Sequence, residues 1–219
     1  MKPTPSFQPS RPSRFSFRRM AFAVGTAAVL TSSLTACFPL AVGAAAGTAL
    51  VATDRRTSGA QLEDEGIELR ALSRLRNEVG DRVHVNLTSF NRQALLTGEA
   101  PTEADKQRVA QIVSQVENVN SIVNEIAVMG NSTLAQRSSD TLVTGRVKAM
   151  LIDARDLQLN AFKVVTERGT TYLMGRVTQR EADRATNIVR ATPGVQKVVR
   201  ILEIITENEL ARIQPAQAK

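Results

Sequence analysis

The chain has 219 residues, one cysteine, one histidine, no tryptophan and a formal net charge of +7. A lone cysteine excludes an internal disulfide and any cysteine-rich zinc site, and an aromatic content of 4% leaves too little for base-stacking platforms. The basic balance is not a nucleic-acid signature: five of the 28 Lys and Arg (Lys2, Arg11, Arg14, Arg18, Arg19) sit in an N-terminal stretch without acid, leaving 23 against 21 Asp and Glu.

After that basic stretch comes an apolar run from Met20 to Leu34, then Leu34-Thr35-Ala36-Cys37. Basic, apolar and small residues in this order read as an export signal. The run is shorter than the roughly 20 residues a membrane-spanning helix needs. A cysteine at the cut, with leucine three residues upstream, resembles the lipobox of bacterial lipoproteins. That resemblance implies that 1–36 is a lipoprotein signal peptide, cleaved before Cys37, and that Cys37 carries a diacylglyceryl thioether and an acylated new amino terminus. Phe38 stands where an aspartate would signal inner-membrane retention, so the resemblance favours the outer membrane. Residues 37–61 then read as a lipid-anchored tether: small apolar residues with Gly43 and Gly47, which weaken a helix, and an exposed linker over 54–59.

One unit follows twice. Ala94-Leu95-Leu96-Thr97-Gly98-Glu99-Ala100 leads to Thr102, and Thr171-Tyr172-Leu173-Met174-Gly175-Arg176-Val177 leads to Thr178. From there Ile112-Val113 matches Ile188-Val189, Val119 matches Val195, and Ile122-Val123 matches Val198-Val199, all at one offset. Each copy opens with a helical period: Ile67, Ala71 and Leu75, or Val143, Val147 and Leu151. Ser139 or Asp140 is the expected cap of the second of these helices. Alternation at Val83, Val85 and Leu87, or at Phe162 and Val164, predicts a strand. Turns are predicted at Asn91-Arg92-Gln93 and Glu167-Arg168-Gly169. A second strand, a helix capped by Thr102 or Thr178, and a last strand over 121–129 or 197–205 complete each copy. The fold class is α+β: two αββαβ domains, each a three-stranded sheet with two helices packed on one face.

The αββαβ order, the Leu-x-Gly of Leu96-Thr97-Gly98 and Leu173-Met174-Gly175, the capped helix and Gly194-Val195 resemble the BON (bacterial OsmY and nodulation) domain. Copy one departs with Asn118-Val119. The assignments are BON domain 1 over 62–130, a linker over 131–136, BON domain 2 over 137–206 and a flexible tail over 207–219, with a short helix from Glu207 to Ile213. Lipobox, small apolar tether and tandem BON domains together resemble the DolP type of outer-membrane lipoprotein.

The copies differ in charge. Residues 60–130 hold 7 Lys and Arg against 11 Asp and Glu, whereas 137–205 hold 12 against 7. A cationic module held at a bilayer favours anionic headgroups. On the first helix of copy two, Val143, Val147, Met150 and Leu151 can face the sheet. Leu142, Arg146 and Ala149 then point to solvent, an apolar wedge with a basic collar that includes Lys148. Copy one has Gly66 in place of Leu142. The family resemblance implies binding of anionic phospholipid (phosphatidylglycerol or cardiolipin) at Leu142, Arg146, Val147 and Lys148, and a role in envelope integrity, with division sites one place for it. The other reading is a periplasmic adaptor for outer-membrane assembly or cell-division proteins. No catalytic residue, metal ligand, cofactor or nucleic-acid partner is assigned. His84 alternates with Val83 and Val85 and is read as a surface histidine on a polar strand face.

Overall fold

The computed structural model describes residues 54–213, so Cys37 and the leader and tether readings up to residue 53 lie outside the described residues. Helix α1 (Ser58–Glu78) starts at Thr57, whose side chain accepts from the Ala60 amide and satisfies an otherwise orphan donor. Its stripe Ile67, Ala71, Leu75 is buried as its spacing predicts. Strands β1 (His84–Phe90) and β2 (Gln93–Ala100), helix α2 (Glu103–Ser114) and two short strands, β3 (Ser121–Asn124) and β4 (Ala127–Val128), complete the first domain. The second comprises α3 (Leu134–Asp153), β5 (Phe162–Glu167), β6 (Thr170–Thr178), α4 (Gln179–Ala191) and β7 (Lys197–Ile205). A last helix, α5 (Glu207–Ile213), follows.

Both sheets have one topology. The hairpin pair is antiparallel, β1 with β2 and β5 with β6, and the last strand joins the central one in parallel. In the first domain that last strand is broken. β3 and β4 both pair with β2, and Ile126 between them is buried. Each second helix is capped as expected, Thr102 accepting from the Asp105 amide and Thr178 from Glu181, which closes a full capping box. A side chain on Gly98 would collide with the His84 carbonyl oxygen, and one on Gly175 with that of Ala161. The Leu-x-Gly pattern is therefore the place where the hairpin backbones approach too closely for a Cβ.

Three expectations need correction. α3 begins at Leu134 with Thr133 as its cap, so neither Ser139 nor Asp140 caps it. Asp140 lies inside the helix, and its carboxylate accepts from the amides of Arg168 and Gly169 at 2.8 and 2.9 Å. Asp64 does the same in α1 for Asn91 and Arg92 at 2.7 and 2.8 Å. These four turn residues all have positive φ, the geometry of a two-residue hairpin turn. Three of them are not glycine, so a buried carboxylate secures a backbone that L-residues otherwise avoid.

The stretch 54–59 is not an exposed linker. Arg55 is 3% exposed and makes two 2.7 Å contacts to the Glu181 carboxylate. Arg56 pairs with Asp54 and Asp64 and lies 4.3 Å from the Phe90 ring centre. Met150, expected to face the sheet, is instead exposed.

The helices cover one face of each sheet, and each domain has its own core there. The opposite faces meet. Phe90 and Leu95 of the first domain pack with Tyr172, Met174 and Ile201 of the second, flanked by Val123 and Val199. Leu95 of β2 and the alternating pair Tyr172 and Met174 of β6 thus face the seam.

Candidate functional site

Two places gather polar chemistry: the outer surface of α3 and the seam between the sheets. On α3, Val143, Val147 and Leu151 point into the core. Leu142, Gly145, Ala149 and Ile152 are spaced along the other side of the helix, and all are exposed. Leu142 is 63% and Ile152 61% exposed. Arg146 and Lys148 flank this apolar strip and are exposed. Among the described residues, neither makes a hydrogen bond or ion pair. Leu142, Arg146 and Lys148 thus stand together on an accessible surface. Val147 does not: it is fully buried in the core of its domain, so it supports the helix from beneath and is withdrawn as a contact residue. Helical spacing had already placed Val147 with the core stripe; only the family resemblance argued for the surface.

The corresponding surface of α1 is built differently. Gly66 replaces Leu142. Arg70, which aligns with Arg146, is held by Glu63 at 2.6 Å, and Glu63 also accepts from Asn118. Those two hydrogen bonds, led by the one from Asn118, hold the Glu63 carboxyl below its ordinary value.

At the seam, His84 is not a free surface histidine. Its Nδ1 lies 3.0 Å from Glu99 Oε2, and Glu99 is fully buried. Burial pushes the Glu99 carboxyl up, but hydrogen bonds from Ser132 and His84 outweigh it and hold the group below its ordinary value. Glu167 comes from β5 of the other domain. It is 8% exposed and accepts from Asn86 at 2.8 Å. Burial, with Glu99 nearby, raises its carboxyl above the ordinary value. Tyr172, pushed up to about 12 by burial, stays neutral at the seam beside Glu125. Strand alternation gave the correct face for His84. It could not reveal that this face is covered by a second sheet.

Residues 63–130 and 139–206 each match the BON domain. The chain belongs to the BON-domain family. Named proteins are similar to this chain over most of its length. The chain is 33% identical over 178 residues to a Haemophilus influenzae protein named outer membrane lipoprotein DolP, spanning 80% of this chain and 92% of that one. It is 29% identical over 154 residues to the 21 kDa hemolysin of Actinobacillus pleuropneumoniae, covering 69% of this chain and 79% of that protein. It is 26% identical over 117 residues to the osmotically-inducible protein Y of Escherichia coli, covering 52% of this chain and 58% of that protein. Among the described residues no helix is long and apolar enough to cross a membrane.

Proposed function

We propose that this BON-domain protein is a non-enzymatic outer-membrane lipoprotein, anchored through acylated Cys37 and facing the periplasm, that engages anionic phospholipid with the outer surface of α3 and so supports envelope integrity, including at division sites. The carrying observation is Leu142 exposed beside two unpaired cations, Arg146 and Lys148, on the more basic of two otherwise similar domains. Similarity to an outer membrane lipoprotein over 92% of that protein's length supports the anchoring and the envelope location.

Magnitudes assign the parts their roles. Each basic side chain near an anionic surface contributes about 1 kcal/mol, and burying one leucine contributes about 1.5–3 kcal/mol. Together these give weak attachment on their own. Two or more acyl chains on Cys37 would hold the protein permanently and keep α3 at high effective concentration over the bilayer. Headgroup contact then decides where the protein dwells and how it is oriented.

The test is flotation of residues 38–219, which lack the acyl chains, with vesicles containing phosphatidylglycerol. Retention that falls with added salt and with Leu142→Glu is expected; equal recovery with neutral phosphatidylcholine vesicles would overturn the reading. Mass spectrometry of the mature amino terminus tests Cys37 separately. The adaptor reading draws on Leu62 and Leu69, both exposed on the acidic α1. It predicts capture of envelope proteins that Leu69→Glu abolishes and Leu142→Glu leaves intact.

A further inference from the structure

The seam holds a group of side chains that the lipid reading does not use. His84 on β1, Glu99 on β2 and Glu167 on β5 each offer one ligand atom, and the three atoms lie within 4.8 Å of one another. Two strands come from one domain and the third from the other. An open cleft of about 360 Å³ reaches His84 and Glu167 past Asn86 and Arg137.

The charge balance of this group is short by one cation. Glu99 has Arg168 at 3.5 Å on Oε1, while Oε2 faces His84 and the Ser132 amide and hydroxyl. Glu167 is buried, accepts only from the neutral Asn86 amide, and among the described residues has no ion-pair partner. A buried carboxylate without a countercharge is costly, and it resolves the cost by binding a proton or a metal. The upward displacement of the Glu167 carboxyl has this origin, burial first and then Glu99.

We propose that His84, Glu99 and Glu167 form a zinc-binding site that ties the two BON domains together. One imidazole nitrogen with two carboxylate oxygens suits a borderline ion such as Zn²⁺ better than Mg²⁺ or Ca²⁺, which take oxygen ligands. Ligands about 2.1 Å from a tetrahedral zinc are separated by about 3.4 Å, so the 3.0 Å contact between His84 and Glu99 needs to open only slightly. Zinc takes the place of a proton on Nδ1: a neutral imidazole then carries its one proton on Nε2, and an imidazolium releases its second proton to solvent. Arg168 remains on Glu99 Oε1, and the Ser132 amide and hydroxyl hold Oε2, the oxygen that faces His84. The fourth position faces the cleft and takes water.

The experiment uses the full chain with Cys37→Ser, so that no thiol competes, after treatment with a chelator. Titration with ZnCl₂ at neutral pH is followed by calorimetry and by thermal unfolding. Saturable one-to-one binding with a rise in unfolding temperature is expected. His84→Ala and Glu167→Gln should each weaken binding at least tenfold. The second is isosteric, retains an oxygen for the Asn86 bond and comes from the other domain, so its loss reports a ligand shared across the seam. Far-UV circular dichroism verifies that both variants are folded. No binding at 100 μM zinc overturns the proposal. So does unchanged affinity in either variant, or equal affinity for Mg²⁺.

Discussion

Aligned arginines behave in opposite ways in the two domains. Arg70 in domain 1 is neutralised by Glu63, which Asn118 also grips. Arg146 in domain 2 has Ser139 and Gly194 at the matching positions and keeps its charge for solvent. The same division recurs inside. Glu181, which caps α4, is tied to buried Arg55, whereas the matching Asp105 is tied to Arg82, a side chain 62% exposed. A shared fold therefore fixes where these residues stand, and the neighbours decide whether a charge is structural or available.

The largest effect should separate the two caps. Arg55→Ala leaves Glu181 buried without its partner and should cost about 3–5 kcal/mol. Arg82→Ala removes a partner that is itself exposed, and Asp105 keeps its hydrogen bond from Thr102, so the cost should be about 1 kcal/mol. Urea denaturation of each variant checks the contrast, and equal losses would break it.

Next come the turn carboxylates. Asp140→Ala strips two amides of their acceptor and should cost about 2–3 kcal/mol. Asp64→Ala should cost more, because Asp64 also accepts from Ser89 and pairs with Arg56.

A smaller contrast depends on pH. The Glu99 carboxyl is lowered in the fold, so its contribution is present above the ordinary value and is lost as pH falls through the depressed one. Glu167 is raised, so its contribution is present below the ordinary value of 4.5 and is lost as pH rises through the elevated one. In metal-free buffer, Glu167→Gln should therefore gain stability relative to the parent as pH rises from 4.5 to neutrality. Glu99, Arg168, Arg137, His84 and Asp140 surround the site and are present in both proteins. Urea midpoints at both pH values read the difference.

The smallest effect on stability belongs to Ser139→Glu, which gives Arg146 the partner that Arg70 has. Stability should stay within about 0.5 kcal/mol, while retention on anionic vesicles falls. Unchanged retention would show that Arg146 contributes nothing there.

Much of this architecture was legible in the chain. The repeat, the core stripes and the caps at Thr102 and Thr178 follow from period and residue type, because they are local. The seam is not local, yet it left a trace: Ala94-Leu95-Leu96 and Tyr172-Leu173-Met174 are apolar on consecutive residues, as a strand covered on both faces must be. Asp64 and Asp140 were harder to read, since an aspartate in a helix suggests a cap or solvent and its turn partners lie 27 or more residues away. Asn118 departs from the family glycine but takes the positive φ that the site demands. The outward stripe of α3 was readable in part. Leu142 and Arg146 follow from the helical period, while the exposure of Met150 depends on how the helix is rotated against its sheet.

Arg55 has a mechanical consequence. A pull on the chain upstream of residue 54 does not arrive first at domain 1, although that domain is next in sequence. It arrives at the start of α4 in domain 2, through a guanidinium bolted to Glu181 and to the Arg176 carbonyl. Arg56, one residue later, is held by Asp64 of α1, so the amino-terminal end is fastened to both domains within two residues.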